Sequence, residues 1–216
     1  MNTKQKAEIW KDYFDKLPIT DEPKELIKIG NREINEVEVE LTIDDVKKTM
    51  RNLKNYKLAG TDGIHPELIK YGGNKLLNRI YELVRQIWEE ERTPEEWKET
   101  IIVPIYKKGD RDMCENYREI ALGNAVYKIL VNIILEKIKP YTEKIIRDYQ
   151  NGFRDGRSVI DNIFVLKIIN TKIWQYNQSV QYTVIDFQKS YDSIHRDMLW
   201  ECMEEFKIPK KLYKYW

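Results

Sequence analysis

Cysteine is scarce: Cys114 and Cys202 are the only two in 216 residues. They give neither a disulfide framework nor a zinc spacing. Histidine is as rare, with only His65 and His195, which argues against an imidazole metal site or a hydrolase triad. His195 follows Ser193, but nothing nearby offers a partner acid. No apolar run is long enough to span a membrane. The most apolar stretch, "ILVNIIL" from Ile129 to Leu135, is far short of the roughly 20 residues required. The opening "MNTKQKAEIW" lacks a hydrophobic signal region, so a soluble intracellular chain is expected. Net charge is +1, so no global basic field advertises a nucleic-acid partner. "YGGNKLL" has a glycine pair and a lysine but not the spacing of a phosphate loop. There is no internal repeat and no low-complexity segment.

Charge and apolar residues are both plentiful. The apolar fraction of 42% supports one core, and the 34% charged fraction predicts long amphipathic helices. Residues 1–17 read as one helix carrying Ala7, Trp10, Tyr13, Phe14 and Leu17 on a face. An acidic linker is expected over 18–41. Between 18 and 45 there are nine Asp/Glu against three Lys/Arg. Thr42 and Asp45 form a capping-box pattern before Ile43, Val46, Met50 and Leu53. Pro66 opens a short helix, and Leu76 to Glu91 reads as a long one. "TIIVPIY" reads as a strand, followed by the polar loop "KKGDRDMCENYR". Asn124 to Lys139 is apolar nearly all round and predicts a buried helix. Ser158 and Asp161 begin a helix running to about Trp174. Tyr182 to Phe187 alternates like a strand. Residues 197–206 form a last helix, with Met198, Leu199, Cys202, Met203 and Phe206 expected inward.

Three stretches could carry chemistry. In "YTVIDFQKSYDSIHR", Asp186 ends the expected strand. A carboxylate there can hold Mg²⁺, which prefers oxygen ligands and substrate phosphates. On spacing alone, an Asp that caps the next turn is the commoner explanation. In "IVPIYKKGDRDMCENYREIAL", Lys107, Lys108, Arg111 and Arg118 spread cations over a loop, as triphosphate binding requires. A solvated basic turn is the plainer reading. In "YQNGFRDGRS", glycines allow close approach, while arginines and aromatics interleave as on a single-strand binding surface. An interhelical loop with Phe153 plugged into the core is about as common. From 101 to 157 there are eleven Lys/Arg against eight Asp/Glu, a local surplus opposite in sign to the linker.

Taken in order, these stretches resemble the reverse transcriptase domain of non-LTR retrotransposons of the LINE or jockey type. "LKNYKLAGTDGIHPELIK" resembles that family's opening motif. "WKETIIVPIYKKGDRDMCENYREIAL" and "QNGFRDGRSVIDNIF" resemble its two fingers motifs, and "VIDFQKSYDSIHRDMLW" resembles motif A of its palm. "WKDYFDKL" looks like the segment joining the family's endonuclease to its polymerase. The resemblance implies an α+β fold, with mainly helical fingers plus the first strand and helix of a palm over 42–216. It implies that Asp186 is the first catalytic carboxylate, binding Mg²⁺ or Mn²⁺ together with the Phe187 carbonyl. Tyr191 would sense the 2′ position of the incoming nucleotide. Lys107, Lys108 and Arg118 would hold the triphosphate. Gln150, Gly152, Arg154 and Arg157 would lie along the template. The implied partners are an RNA template, a DNA primer and a deoxynucleoside triphosphate. The implied location is nucleus or cytoplasm.

The sequence departs from the family at Glu119, where glycine is usual, at Ala121, where serine is usual, and at Ser190, where alanine is usual. The family's Asp-Asp hairpin does not occur before Trp216. The expectation is therefore a fragment, inactive alone, of an RNA-directed DNA polymerase. The alternatives are a catalytically dead nucleic-acid-binding remnant and a helical interaction module.

Overall fold

Thr42 opens the helical core as its sequence predicts. Its Oγ1 accepts from the Asp45 N–H at 3.2 Å, and its own N–H donates to Asp45 Oδ2 at 2.9 Å. Two donors that a first turn leaves unpaired are thereby satisfied. The computed structural model describes residues 3–15, 38–187, 190–191 and 194–213. Most of the expected acidic linker and Leu17 of the first helix face lie outside what is described, as does the side chain of Phe14.

Helix α1 spans Thr3–Asp15 and α2 spans Ile43–Asn52. α2 buries Val46, Thr49 and Met50, while Ile43, expected on the same face, is exposed. The buried Thr49 hydroxyl donates to the Asp45 carbonyl at 2.9 Å, so its burial is satisfied. α3 spans Pro66–Lys70 with proline at its start, where a missing N–H costs nothing. α4 spans Gly73–Glu90 and turns Leu77, Ile80, Val84, Ile87 and Trp88 inward at helical spacing. The Trp88 indole N–H donates to the Val39 carbonyl at 3.2 Å, which lays residues 38–41 along the core.

Strands β1 (Ile101–Tyr106) and β2 (Tyr117–Leu122) form an antiparallel hairpin, the one sheet among the described residues. The sequence pattern predicts a polar loop through Arg118 and no second strand. The alternation that marks β2 is carried partly by Arg118 and Glu119, so the apolar signal is diluted. α5 (Ala125–Thr142) buries Ala125, Ile129, Leu130, Ile133 and Ile134, as expected of the most apolar helix. It packs on α2, which also meets α3 and α4.

α6 (Val159–Gln175) starts at Ser158, whose side chain accepts from the Ile160 N–H at 3.1 Å. Although it is rich in apolar residues, none of them is buried. The strand expected at Tyr182–Phe187 does not form; the segment is irregular and exposed. A strand needs a partner ladder for its backbone groups, and no strand lies beside it among the described residues. The α+β expectation therefore holds as helices plus one hairpin, and the palm strand within it is corrected.

α7 (Arg196–Glu205) also differs from expectation. Leu199, Cys202 and Phe206 are exposed; Trp200 and Met203 are the residues that pack on the core. After it, Lys207 adopts a left-handed conformation with φ 55°. The turn sends Ile208, Leu212 and Tyr213 into the core, filling space that α7 was expected to fill.

Candidate functional site

The hairpin has two chemically different faces. Opposed residues of an antiparallel pair share a face. Ile105 stands opposite Arg118, Val103 opposite Ile120 and Ile101 opposite Leu122. The other face carries Tyr106 opposite Tyr117 and Pro104 opposite Glu119. On this second face the Trp10 and Tyr117 rings meet edge-on at 4.7 Å, and Tyr106 and Tyr117 at 5.5 Å. Arg111 lies over the Tyr106 ring at 5.1 Å, and the Tyr117 hydroxyl donates to the Arg111 carbonyl at 2.9 Å. Arg111 is thus committed to holding the hairpin tip.

Arg118 is exposed on the opposite face. Glu119, its acidic neighbour, falls on the Trp10 face, because successive strand residues point to opposite sides. Lys107 and Lys108 follow β1 directly and are exposed. The Lys107 N–H donates to the Asn116 carbonyl at 2.8 Å, which closes the base of the tip. The structure brings these three cations onto one hairpin.

The Arg118 face looks into a cavity of about 760 Å³ between the hairpin, α2 and α5. Val103, Ile105, Ile120 and Leu122 form its apolar floor. Lys48, Lys54, Lys57, Lys128 and Lys139 line it, against the single acid Glu136. Glu136 pairs with Lys48 at 3.0 Å and also with Lys139. Those two lysines hold its carboxyl below the usual range, Lys139 contributing most. Lys54, Lys57 and Lys128 have no ion-pair partner among the described residues.

The loop at the cavity lip is braced by α3. Lys70 Nζ donates to the Leu53 carbonyl at 2.8 Å, Asn55 Nδ2 to the Tyr71 hydroxyl at 3.1 Å, and the Tyr56 N–H to the Glu67 carboxylate. Tyr56 is left-handed at φ 58° and 98% exposed. This residue and its flanking lysines are not among those the sequence picks out. The signal was present in "KNYK", where basic residues flank an aromatic as they do in "YQNGFRDGRS".

In that second loop, Arg154 is not open to a ligand. Its side chain is only 6% exposed and pairs with Glu143 at 2.6 Å. It also donates to the carbonyls of Arg147 and Gln150 at 3.0 and 3.1 Å. The guanidinium holds the Glu143 carboxyl below its ordinary value. Arg157 pairs with Asp148 at 2.6 Å on the surface. Gln150 Nε2 donates to the Gly152 carbonyl at 3.3 Å. Phe153 is not a core plug: it is 98% exposed and left-handed at φ 60°.

Asp186, Phe187 and Tyr191 share an exposed segment. Asp186, Phe187 and Tyr191 make no hydrogen bond or ion pair to the hairpin among the described residues. No group of three His, Cys, Asp or Glu that could hold a metal ion comes together among the described residues.

The reverse transcriptase (RNA-dependent DNA polymerase) family model matches residues 105–216, which takes in most of the hairpin, α5, α6 and α7. The chain belongs to the reverse transcriptase family. Its similarities lie among non-LTR retrotransposon proteins. A Xenopus laevis protein described as the transposon TX1 uncharacterized 149 kDa protein is 21% identical over 94% of this chain. A Drosophila melanogaster protein, the putative 115 kDa protein in type-1 retrotransposable element R1DM, is 28% identical over 74%. The probable RNA-directed DNA polymerase from transposon BS, also from Drosophila melanogaster, is 23% identical over 74%. The chain spans 15%, 16% and 18% of the lengths of these three relatives. Among the described residues of this reverse transcriptase domain, no helix is long and apolar enough to cross a membrane.

Proposed function

We propose that the chain supplies the nucleotide- and template-facing part of an RNA-directed DNA polymerase. Its substrates would be an RNA template, a DNA primer and a deoxynucleoside triphosphate. The observation that carries this is the hairpin: its tip and all of β2 lie within the family match, and it displays Arg118 on a face its acidic neighbour does not share. A guanidinium there suits bidentate phosphate recognition, with Lys107 and Lys108 as point charges beside it. Tyr191 would exclude a 2′-hydroxyl, the group that separates RNA from DNA. Gln150, Gly152 and Arg157 would meet the template, while Arg154 would shape the loop that presents them.

Asp186 and the Phe187 carbonyl would bind a divalent ion, Mg²⁺ or Mn²⁺. Mg²⁺ requires about six oxygen ligands in octahedral array. The described residues offer one carboxylate and one carbonyl at this place, and the ion would take its remaining ligands from water and substrate phosphates. The described residues would supply binding and orientation. The 216-residue chain alone is expected to give no primer extension with Mg²⁺. Incorporation above background would contradict that.

A fluorescent deoxynucleoside triphosphate titrated into the chain tests the binding role. Arg118→Ala is expected to weaken it about tenfold, and unchanged binding would remove Arg118 from the site. The exposed apolar α6 favours a second reading, a helical interaction module. That reading predicts self-association or partner capture with no nucleotide or primer–template binding at low salt.

A further inference from the structure

We propose that α6 is the contact face of a two-fold dimer of this chain, in which two copies of the helix pair antiparallel with Asp161 of each beside Lys172 of the other. The face lies outside both the hairpin and the Asp186 segment, so it goes beyond the polymerase reading.

The mounting of α6 decides which side is free. Of its 17 residues only Asn162, Asn170 and Ile173 are partly covered, and all the others are exposed. Asn162 Oδ1 accepts from the Asn151 side chain, and Asn170 Oδ1 accepts from the Tyr182 hydroxyl at 2.8 Å. The helix is therefore held from the side that carries these three residues. At roughly 100° per residue, Asp161, Val165, Ile168 and Lys172 fall on a different side. Their spacings of four, three and four residues keep them in one stripe, as in a helix-pairing seam. Val165 and Ile168 are 53% and 44% exposed, and Phe164 beside them is 61% exposed.

The stripe is complementary to itself. Turned end for end on a second copy, it sets Asp161 against Lys172 and Val165 against Ile168, each pairing occurring twice. Every layer joins unlike charges or two β-branched apolar side chains. A parallel pair would set Asp161 on Asp161 and Lys172 on Lys172, which repels. Charge thus selects the antiparallel order, while apolar burial supplies the attraction. Neither Asp161 nor Lys172 has an ion-pair partner among the described residues of its own chain. Lys167 lies roughly 130° round the helix from the stripe and stays in solvent. The same patch is used on both copies, so the contact closes at two chains and does not propagate. One helix pair buries less than the roughly 1,200–2,000 Å² of stable complexes, so the dimer is reversible.

The test is sedimentation velocity of the whole chain over a wide range of concentrations. The mass is expected to rise from one chain to two and stop there. A single-chain mass throughout would overturn the proposal, and so would growth past two chains, the sign of indiscriminate apolar contact. Asp161→Lys and Lys172→Asp should each weaken self-association about tenfold or more, because each sets like charges together at both ends of the stripe. The two variants mixed should pair with one another, and a chain carrying both changes should self-associate like the wild type. Equal self-association of the wild type and both single variants would overturn the pairing. If the variants do not fold, carbodiimide crosslinking of the wild-type chain decides. Asp161 and Lys172 are roughly 16 Å apart along one helix, too far for a direct amide, so a link between them forms only between copies. That link is expected in the crosslinked dimer, and dimers joined only at other residues would overturn the proposal. Nucleotide titration reads Arg118 instead, so a failed dimer leaves the hairpin assignment standing, and a failed titration leaves the dimer standing.

Discussion

A methyl group at Gly60 would stand 2.3 Å from Asn124 Oδ1 and 2.8 Å from the Gly123 carbonyl carbon. The loop of "LAGTDGIHP" is pressed against the start of α5, and the Thr61 hydroxyl donates to Asn124 Oδ1 at 3.1 Å. Gly60→Ala is expected to cost about 1–3 kcal/mol, the usual range for overpacking, measured by urea unfolding. Titration gives a second prediction. The Glu136 carboxyl is held below its ordinary value near 4.5 by Lys139 and then Lys48. A depressed carboxylate contributes stability that is present above the ordinary value and lost as pH falls through the lower folded one. The wild-type urea midpoint should therefore drop slightly more than that of Glu136→Gln on acidification below about pH 4.5, both lysine pairs being mostly solvated. A steeper fall in the variant would contradict the pairing. Residue features that depend on near neighbours were legible in sequence: Thr42 with Asp45, and Ser158 as a cap. Which way Arg118 faces was not legible, because it depends on register with β1, thirteen residues away at Ile105.

Among the elements, the core helices were largely predictable: α2 buries Val46 and Met50 though not Ile43, α4 turns a helical stripe inward, and α5, apolar nearly all round, buries one side. The segment at 182–187 shows the opposite case. Its composition favours a strand, but pairing is a property of two segments, and a single sequence does not announce a partner's absence. α6 is the related case among helices. Its cap was legible, yet Val159, Ile160, Ile163, Phe164 and Trp174 stand between 55% and 83% exposed. An apolar surface of that kind marks an interaction face or an aggregation hazard. Phe164→Glu should change unfolding free energy by no more than about 0.5 kcal/mol, as surface substitutions do. It should also lower binding of a hydrophobic dye and raise solubility. A large loss of stability would show that the helix packs in solution.

At the scale of the whole molecule, the core is closed by residues far apart in the chain. Ile208, Leu212 and Tyr213 sit against helices that begin with α2. Tyr213 stacks on Trp200 with ring centres 5.9 Å apart, and its hydroxyl donates to Glu204 at 3.1 Å. Burial, followed by Glu204, pushes the Tyr213 phenol up to about 12. The unfolded phenol ionises near 10, so stability should decline as pH rises from about 10 toward 12, seen as a falling melting temperature. Leu212→Ala should cost about 2–5 kcal/mol in a denaturant titration, as for other fully buried leucines. A loss below 1 kcal/mol would mean that the tail does not complete the core.

The tucked segment 208–213 also bears on biosynthesis. On the ribosome, Ile134 emerges some 80 residues before Tyr213, and elongation at roughly 5–20 residues per second makes that an interval of several seconds. Throughout it the nascent bundle has an open, greasy slot where that segment will later sit. Chaperone capture during translation should therefore last until residues 208–213 clear the exit tunnel, and a stall placed just before Ile208 should prolong it.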